Sequence, residues 1–219
     1  MKIGLCIPTR GDRPQFLKVC KNLIQRQTVQ PDEIYFVDFP GQAGVKDITL
    51  RYRKGLEELT KRGCDIALLW EDDDWYAPNY IEWMIQEWKK VGQPRIFGVG
   101  ETFYYHLGLH KRLYMKHFGR ASAFNTLLRL PITMSTWPPE QYSFIDMHFW
   151  KHIQGATIAF PDLNNPISIG IKHGIGLSGG GGHSRNFRKW EPGDFRNWFT
   201  NAVGDDYGLF YKNIEPLCV

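Results

Sequence analysis

Four adjacent carboxylates, Glu71-Asp72-Asp73-Asp74, follow directly on the apolar run Ile66-Ala67-Leu68-Leu69-Trp70. Side chains of this type at the end of a predicted strand repel one another unless a cation or basic groups neutralise them. In an extended chain residues i and i+2 share a face, which pairs Glu71 with Asp73, or Asp72 with Asp74. Hard divalent cations such as Mg²⁺ and Mn²⁺ take oxygen ligands of this kind and keep positions open for phosphate oxygens. The same four residues could also form a solvated acidic turn in front of the next helix. Position favours the metal, because ligands in open α/β sheets bind beyond the carboxyl ends of the strands.

The elements that must hold this cluster are legible around it. Residues 2–8 form a short apolar run that ends in Pro-Thr-Arg-Gly-Asp, a strand entering a loop. Phe16, Cys20, Leu23, Ile24 and Gln27 then recur at helical spacing, with Asp12 as candidate cap and Pro14 in the first turn. Residues 33–38 (EIYFVD) read as a second strand, 47–61 as a helix with Leu56 and Leu59 inward, and 65–70 as a third strand. Pro78 opens a helix whose Ile81, Met84, Ile85 and Trp88 fall at i, i+3, i+4 and i+7. Strand and helix alternate three times, which predicts an α/β fold: a mostly parallel central sheet with flanking helices.

The second half is less regular. Residues 95–100 read as a strand, 101–115 as a hairpin-like excursion and 124–130 as a strand. A Pro-rich loop at 133–140 precedes a helix at 144–153 and a strand at 157–160. Ile167, Ile169 and Ile171 alternate in a strand ending at His173, before the glycine-rich stretch 174–182, and the tail from Arg185 shows no clear period. No repeat and no long linker divides the chain, so one domain spanning 1–219 is expected, with a regular half at 1–100 and a less regular half at 101–219.

Three segments together resemble the GT-A glycosyltransferases, particularly their family-2-like branch. Ile7-Pro8-Thr9-Arg10 with Arg13-Pro14 resembles the opening nucleotide-binding strand and helix, and Gln27-Thr28 through EIYFVD is similar to the second strand with its terminal Asp. WEDDDWYAP resembles the DxD motif with its following Trp-Tyr and Pro, and the likeness covers about residues 2–90. It implies a GT-A, Rossmann-like fold and transfer of a sugar from a nucleotide-diphosphate donor, a UDP-sugar being favoured, with Mn²⁺ or Mg²⁺ as cofactor. It further implies that Thr9 and Asp38 contact the nucleotide's base or ribose, with Arg10 and Arg13 near the same pocket. Glu71 and Asp73 become the outer members of the motif and Asp73 the first choice of metal ligand, while Asp72 and Asp74 can substitute.

The resemblance also implies a His late in the chain to complete the metal shell. His173 and His183 bracket six glycines within 174–182, and Lys172 could offset diphosphate charge. The expected set is thus Asp73, Asp74 and His173 on the metal, with Glu71, Asp72 and Lys172 bordering the donor. Asp146, in Phe144-Ile145-Asp146-Met147-His148, matches the acid that deprotonates the acceptor in inverting relatives; it could equally cap its helix, and His148 is a second choice of base. Two departures stand out: Glu occupies the first motif position, and Phe39-Pro40-Gly41 replaces the polar residues usual after the Asp38 position.

Composition bounds the alternatives. Of 219 residues 42% are hydrophobic and 23% charged, as in a folded domain, and the net charge is +4. Basic and aromatic residues interleave from His106 to Arg120 and from Arg185 to Lys189, which suits a nucleic acid or another anionic acceptor, such as modified DNA of the phage type. A nucleotidyltransferase, or a non-catalytic nucleic-acid-binding protein, is the competing reading. The first fits poorly, because Thr9-Arg10-Gly11-Asp12-Arg13 has one glycine where a glycine-rich loop is needed. Four cysteines without CxxC spacing, no apolar run of membrane length and no signal peptide lead us to expect a cytoplasmic protein with buried thiols.

Overall fold

The computed structural model describes residues 1–41, 45–132, 134, 136–175 and 190–218. Its central sheet has six strands in the order β2-β1-β3-β8-β5-β9. These are β1 (Ile3–Pro8), β2 (Glu33–Val37), β3 (Ile66–Leu69), β5 (Ile96–Val99), β8 (Thr126–Arg129) and β9 (Ala156–Ala159). The pairs β1–β2, β1–β3 and β5–β9 are parallel, and β8 alone runs antiparallel to its neighbours β3 and β5. The single-domain α/β architecture with a mostly parallel central sheet is the one the sequence predicts.

Strands β1 and β3 are buried along their whole length, as they must be with helices on both faces. Alternate residues of each strand feed opposite cores. Leu5, Ile7, Leu68 and Trp70 pack with Phe16 and Leu23 of α1 (Pro14–Gln25) and with Tyr80, Ile81 and Met84 of α3 (Tyr80–Lys90). Cys6, Ala67 and Leu69 pack on the other side with Tyr52, Leu56 and Leu59 of α2 (Ile48–Lys61) and with Ile145 and Phe149 of α4 (Ile145–His152). Helix α2 can lie this close because Gly55 carries no side chain: a Cβ there would meet Cys6 Sγ at 2.4 Å.

A second sheet, β4-β10-β6-β7, was not expected from the sequence. The predicted hairpin is present as β6 (Glu101–His106) paired antiparallel with β7 (Lys111–Lys116). Strand β10 (Ser168–Lys172) lies parallel to β6 and antiparallel to the two-residue β4 (Trp75–Tyr76). A strand of two residues has no readable period, and only its partner makes it one. The tail also differs from expectation: Arg196–Val203 is a helix, α5, followed by helical turns from Tyr207 to Leu217. Phe199 and Val203, four apart, are its buried residues, and the Phe199 ring stacks on Tyr105 with centroids 4.1 Å apart. Tertiary packing rather than a long amphipathic pattern sustains so short a helix.

Asp12 does not cap α1. Arg13 holds the N-cap position, Pro14 follows at N1, and no side chain caps the helix. Asp146 likewise lies inside the first turn of α4, whose N-cap is Phe144. Among the described residues no helix is long and apolar enough to cross a membrane. Cys6, Cys20 and Cys64 are buried free thiols, and Cys218 is half-buried.

Candidate active site

The carboxylates form a turn rather than an extended segment, because the chain leaves β3 and reverses into β4 within residues 71–74. Of the two expected i, i+2 pairs, Glu71 with Asp73 is present and Asp74 joins it: oxygens of the three lie within 4.8 Å of one another. Asp72 points elsewhere, to Arg13 Nη2 at 2.5 Å and to the Thr9 hydroxyl. Strand β10 brings its carboxyl end to the same place. The Ile171 N–H donates to Asp74 Oδ1 at 2.7 Å, and His173 Nε2 lies 3.0 Å from Asp73 Oδ2. Arg13 Nη1 also donates to Asp73 Oδ2 and stands 3.4 Å from His173 Nε2.

Burial and mutual repulsion dominate the protonation of this cluster. Burial, with the Asp73 charge beside it, raises Glu71 to about 7. Burial raises Asp72 to about 6 against the pull of Arg13, and it raises Asp74 well above the usual carboxylate range. Asp73 goes the other way: burial opposes its charge, but Arg13 and the His173 hydrogen bond hold it below its ordinary value. Lys172 is held charged, and its pKa raised, by Asp74 and Asp73 in spite of burial. Burial lowers His173 and favours the neutral imidazole, whose Nδ1 accepts the Ile175 N–H at 2.9 Å and whose Nε2–H faces Asp73.

The donor set fits a divalent cation. Asp74 Oδ2 is buried and accepts no hydrogen bond from the described residues, an expensive state for a carboxylate oxygen without a cation. Glu71, Asp73 and Asp74 would supply the oxygens, with the His173 imidazole beside them. Glu71 is further fixed by two aromatic hydroxyls, that of Tyr76 within the motif and that of Tyr52, which the sequence did not single out. Tyr76 Oη accepts from the Glu71 N–H at 2.8 Å, and Tyr52 Oη donates to Glu71 Oε1 at 3.4 Å. Nothing in the spacing of Tyr52, on a helix packed against the other side of β1, announces that contact.

Thr9 is buried where β1 ends, and its hydroxyl also accepts from the Gly11 N–H at 3.3 Å. Arg10 does not join Arg13; it turns to Asp47, with Nη2 2.7 Å from Oδ1. Asp38 is exposed just past the end of β2. Asp146 accepts from Arg120 Nη1 at 3.0 Å, burial raises its pKa, and its charge is felt at Glu71. His148 faces away, with Nε2 3.0 Å from the Thr136 carbonyl and its ring on His152.

The basic stretch from His106 to Arg120 is internally engaged. Lys111 donates to the Gly193 carbonyl at 2.7 Å, Arg112 pairs with Glu191 at 2.5 Å, Lys116 pairs with Glu101, and Arg120 holds Asp146. His106 is fully buried. The glycine-rich stretch from 176, His183, and Arg185 to Lys189 lie outside the described residues.

No family model matches the chain, and no curated protein does. Solved structures do. The chain is similar to S. aureus TarS, with a TM-score of 0.51 and 10% identity over 78% of this chain and 37% of that one. It is also similar to TarS 1–349 in complex with UDP-GlcNAc, with a TM-score of 0.53 and 7% identity over 78% of this chain and 59% of that one. A197 from STIV aligns over 73% of this chain and 82% of its own, with 12% identity and a TM-score of 0.45. The chain thus spans less than two thirds of the TarS chains it matches. At these identities the likeness shows the fold, a GT-A α/β fold.

Proposed function

We propose that this protein is a glycosyltransferase that moves a sugar from a nucleoside-diphosphate donor, a UDP-sugar by preference, to an acceptor hydroxyl. One observation carries the reading. A buried carboxylate cluster with an orphaned oxygen sits at the carboxyl end of β3, with Lys172 and His173 delivered to it by β10, in the fold of a protein crystallised with UDP-GlcNAc. Residues 1–100 would bind the donor, and 101–219 would return Lys172 and His173 to it and present the acceptor side.

Glu71, Asp73 and Asp74, with His173 once its Nε2 proton is lost, would hold a divalent cation, Mn²⁺ or Mg²⁺, which would supply positive charge beside a bound diphosphate. Lys172 adds a second positive charge from the protein, placed where the leaving nucleoside diphosphate gathers negative charge. Asp146 takes the proton of the acceptor hydroxyl, whose oxygen bonds to the anomeric carbon as the carbon–oxygen bond to the diphosphate breaks; the electron pair leaves with the nucleoside diphosphate. Attack by the acceptor oxygen on the face opposite the leaving group inverts the anomeric centre. Burial suits Asp146 to this task by raising its proton affinity, and Arg120 keeps it oriented. Because the described cations from Lys111 to Arg120 are engaged within the protein, a hydroxyl compound fits the acceptor side better than a DNA backbone.

The test is a thermal-shift panel of UDP, GDP, CDP and ADP, each with Mn²⁺, Mg²⁺ or EDTA. At ~100 times its Kd a ligand adds about 2.7 kcal/mol, an easily measured rise in Tm. UDP with Mn²⁺ is expected to stabilise most and EDTA to remove the effect. No response to any nucleotide would overturn the donor assignment.

A further inference from the structure

Arg51 is a large charged residue held 1% exposed. It lies in the first turn of α2, yet its side chain reaches the carboxyl ends of both strands that border the proposed nucleotide pocket. Nη1 donates to the Thr9 carbonyl at 2.5 Å and to the Val37 carbonyl at 2.8 Å. Nη2 donates to the Phe39 carbonyl at 2.7 Å and to Asp47 Oδ2 at 2.8 Å. The guanidinium plane carbon also stands 4.0 Å from the centre of the Phe39 ring. Asp47 hands the connection on, since its Oδ1 accepts from Arg10.

We infer that Arg51 is a positioning residue for donor binding, a clamp that fixes the loops after β1 and β2 and so sets Thr9, Arg10 and Asp38 in their places. The inference rests on the nucleotide-sugar reading above. Its physical basis is that the carbonyls of Thr9, Val37 and Phe39 converge where the two strands end, Val37 already accepting the Thr9 N–H at 3.2 Å, and one planar donor with a fixed fork binds all three together. A lysine keeps the charge but is a point donor on a flexible stem, so it cannot hold three carbonyls and a carboxylate in one geometry. Asp47 is the other half of the device, neutralising Arg51 and Arg10 at once.

The experiment compares wild type, Arg51→Lys and Asp47→Asn by calorimetric titration with UDP, by Mn²⁺ binding alone, and by circular dichroism with melting. Arg51→Lys is expected to keep the native spectrum and the wild-type Mn²⁺ affinity while its UDP Kd rises about tenfold, or about 1.4 kcal/mol. Asp47→Asn keeps the carbonyl bonds and is expected to raise the UDP Kd less, about threefold. In turnover the loss should appear in donor KM and leave kcat near wild type. A folded Arg51→Lys that binds UDP within twofold of wild type overturns the clamp. If that variant does not fold, Asp47→Asn decides: wild-type UDP affinity in it overturns the clamp. Failure of wild type itself to bind any nucleoside diphosphate removes the nucleotide reading and this inference with it, a result distinct from one confined to the variants.

Discussion

Arg13 Nη2 donates to Asp72 Oδ1 at 2.5 Å, joining the N-cap of α1 to the turn after β3 across 59 residues of sequence, and both side chains are nearly buried. The same guanidinium reaches Asp73, so one cation compensates two of four neighbouring carboxylates. Replacing it by Met leaves both acids buried without their partner, and breaking a buried pair on one side costs about 3–5 kcal/mol. Arg13→Met should lose stability of that order by urea unfolding, with Arg13→Lys losing less. A change under 0.5 kcal/mol in Arg13→Met would show that the pair is immaterial to the fold.

Asp74 separates stability from activity. Its Oδ2 lacks a hydrogen bond from the described residues and burial disfavours its charge, whereas its Oδ1 contact with the Ile171 N–H survives in an amide. Asp74→Asn is therefore expected to melt higher than wild type in EDTA while its Mn²⁺ affinity falls at least tenfold. Wild-type Mn²⁺ affinity in that variant would remove Asp74 from the ligand set.

Asp73 is the acid held ionised, and it meets both Arg13 and His173. Asp73→Asn should reduce sugar transfer at least a thousandfold with the fold intact by circular dichroism, and added Mn²⁺ should not restore it. Transfer within tenfold of wild type would dissociate the acidic turn from the chemistry.

Asp146 is tested by turnover at saturating donor. Removal of a general base costs typically 10²–10⁴-fold, so Asp146→Asn should lower kcat in that range and leave the UDP Kd unchanged. An unchanged kcat would reassign the base, and His148, turned toward Thr136, is not positioned to replace it.

His106 gives a pH signature away from the carboxylates. Burial, with His173 and the Lys172 ammonium nearby, lowers its pKa from 6.5 to about 4. A depressed histidine favours folding fully above the unfolded pKa and loses that contribution as pH falls from about 6.5 to 4. The difference corresponds to roughly 3 kcal/mol at most. His106→Gln should flatten the loss of stability over that window, read as Tm against pH. Parallel wild-type and variant profiles would place the acid sensitivity elsewhere.

The layered α/β fold and the position of the acidic turn are legible in the chain before folding, because local pattern suffices for both. Continuous apolar runs such as Ile66–Trp70 make buried strands wherever helices cover two faces, and carboxylates directly after such a run land at the strand's end. Asp73, Asp74 and His173 are named together on the strength of the family resemblance, and the structure brings them together. What tertiary structure alone decided was the division of labour among neighbours. Glu71 lies with Asp73 and Asp74 while Asp72 goes to Arg13 because the chain turns there, and β4, which follows the turn, is held by its pairing with β10, more than 90 residues away. Arg10 and Arg13, three apart and chemically alike, serve Asp47 and Asp72–Asp73 respectively. Nothing in the sequence singles out Arg51, and only the approach of α2 to the ends of β1 and β2 buries it and turns it into a clamp. Long-range contacts set these roles, and the energy of a buried charge depends on which partner the fold places within hydrogen-bond distance.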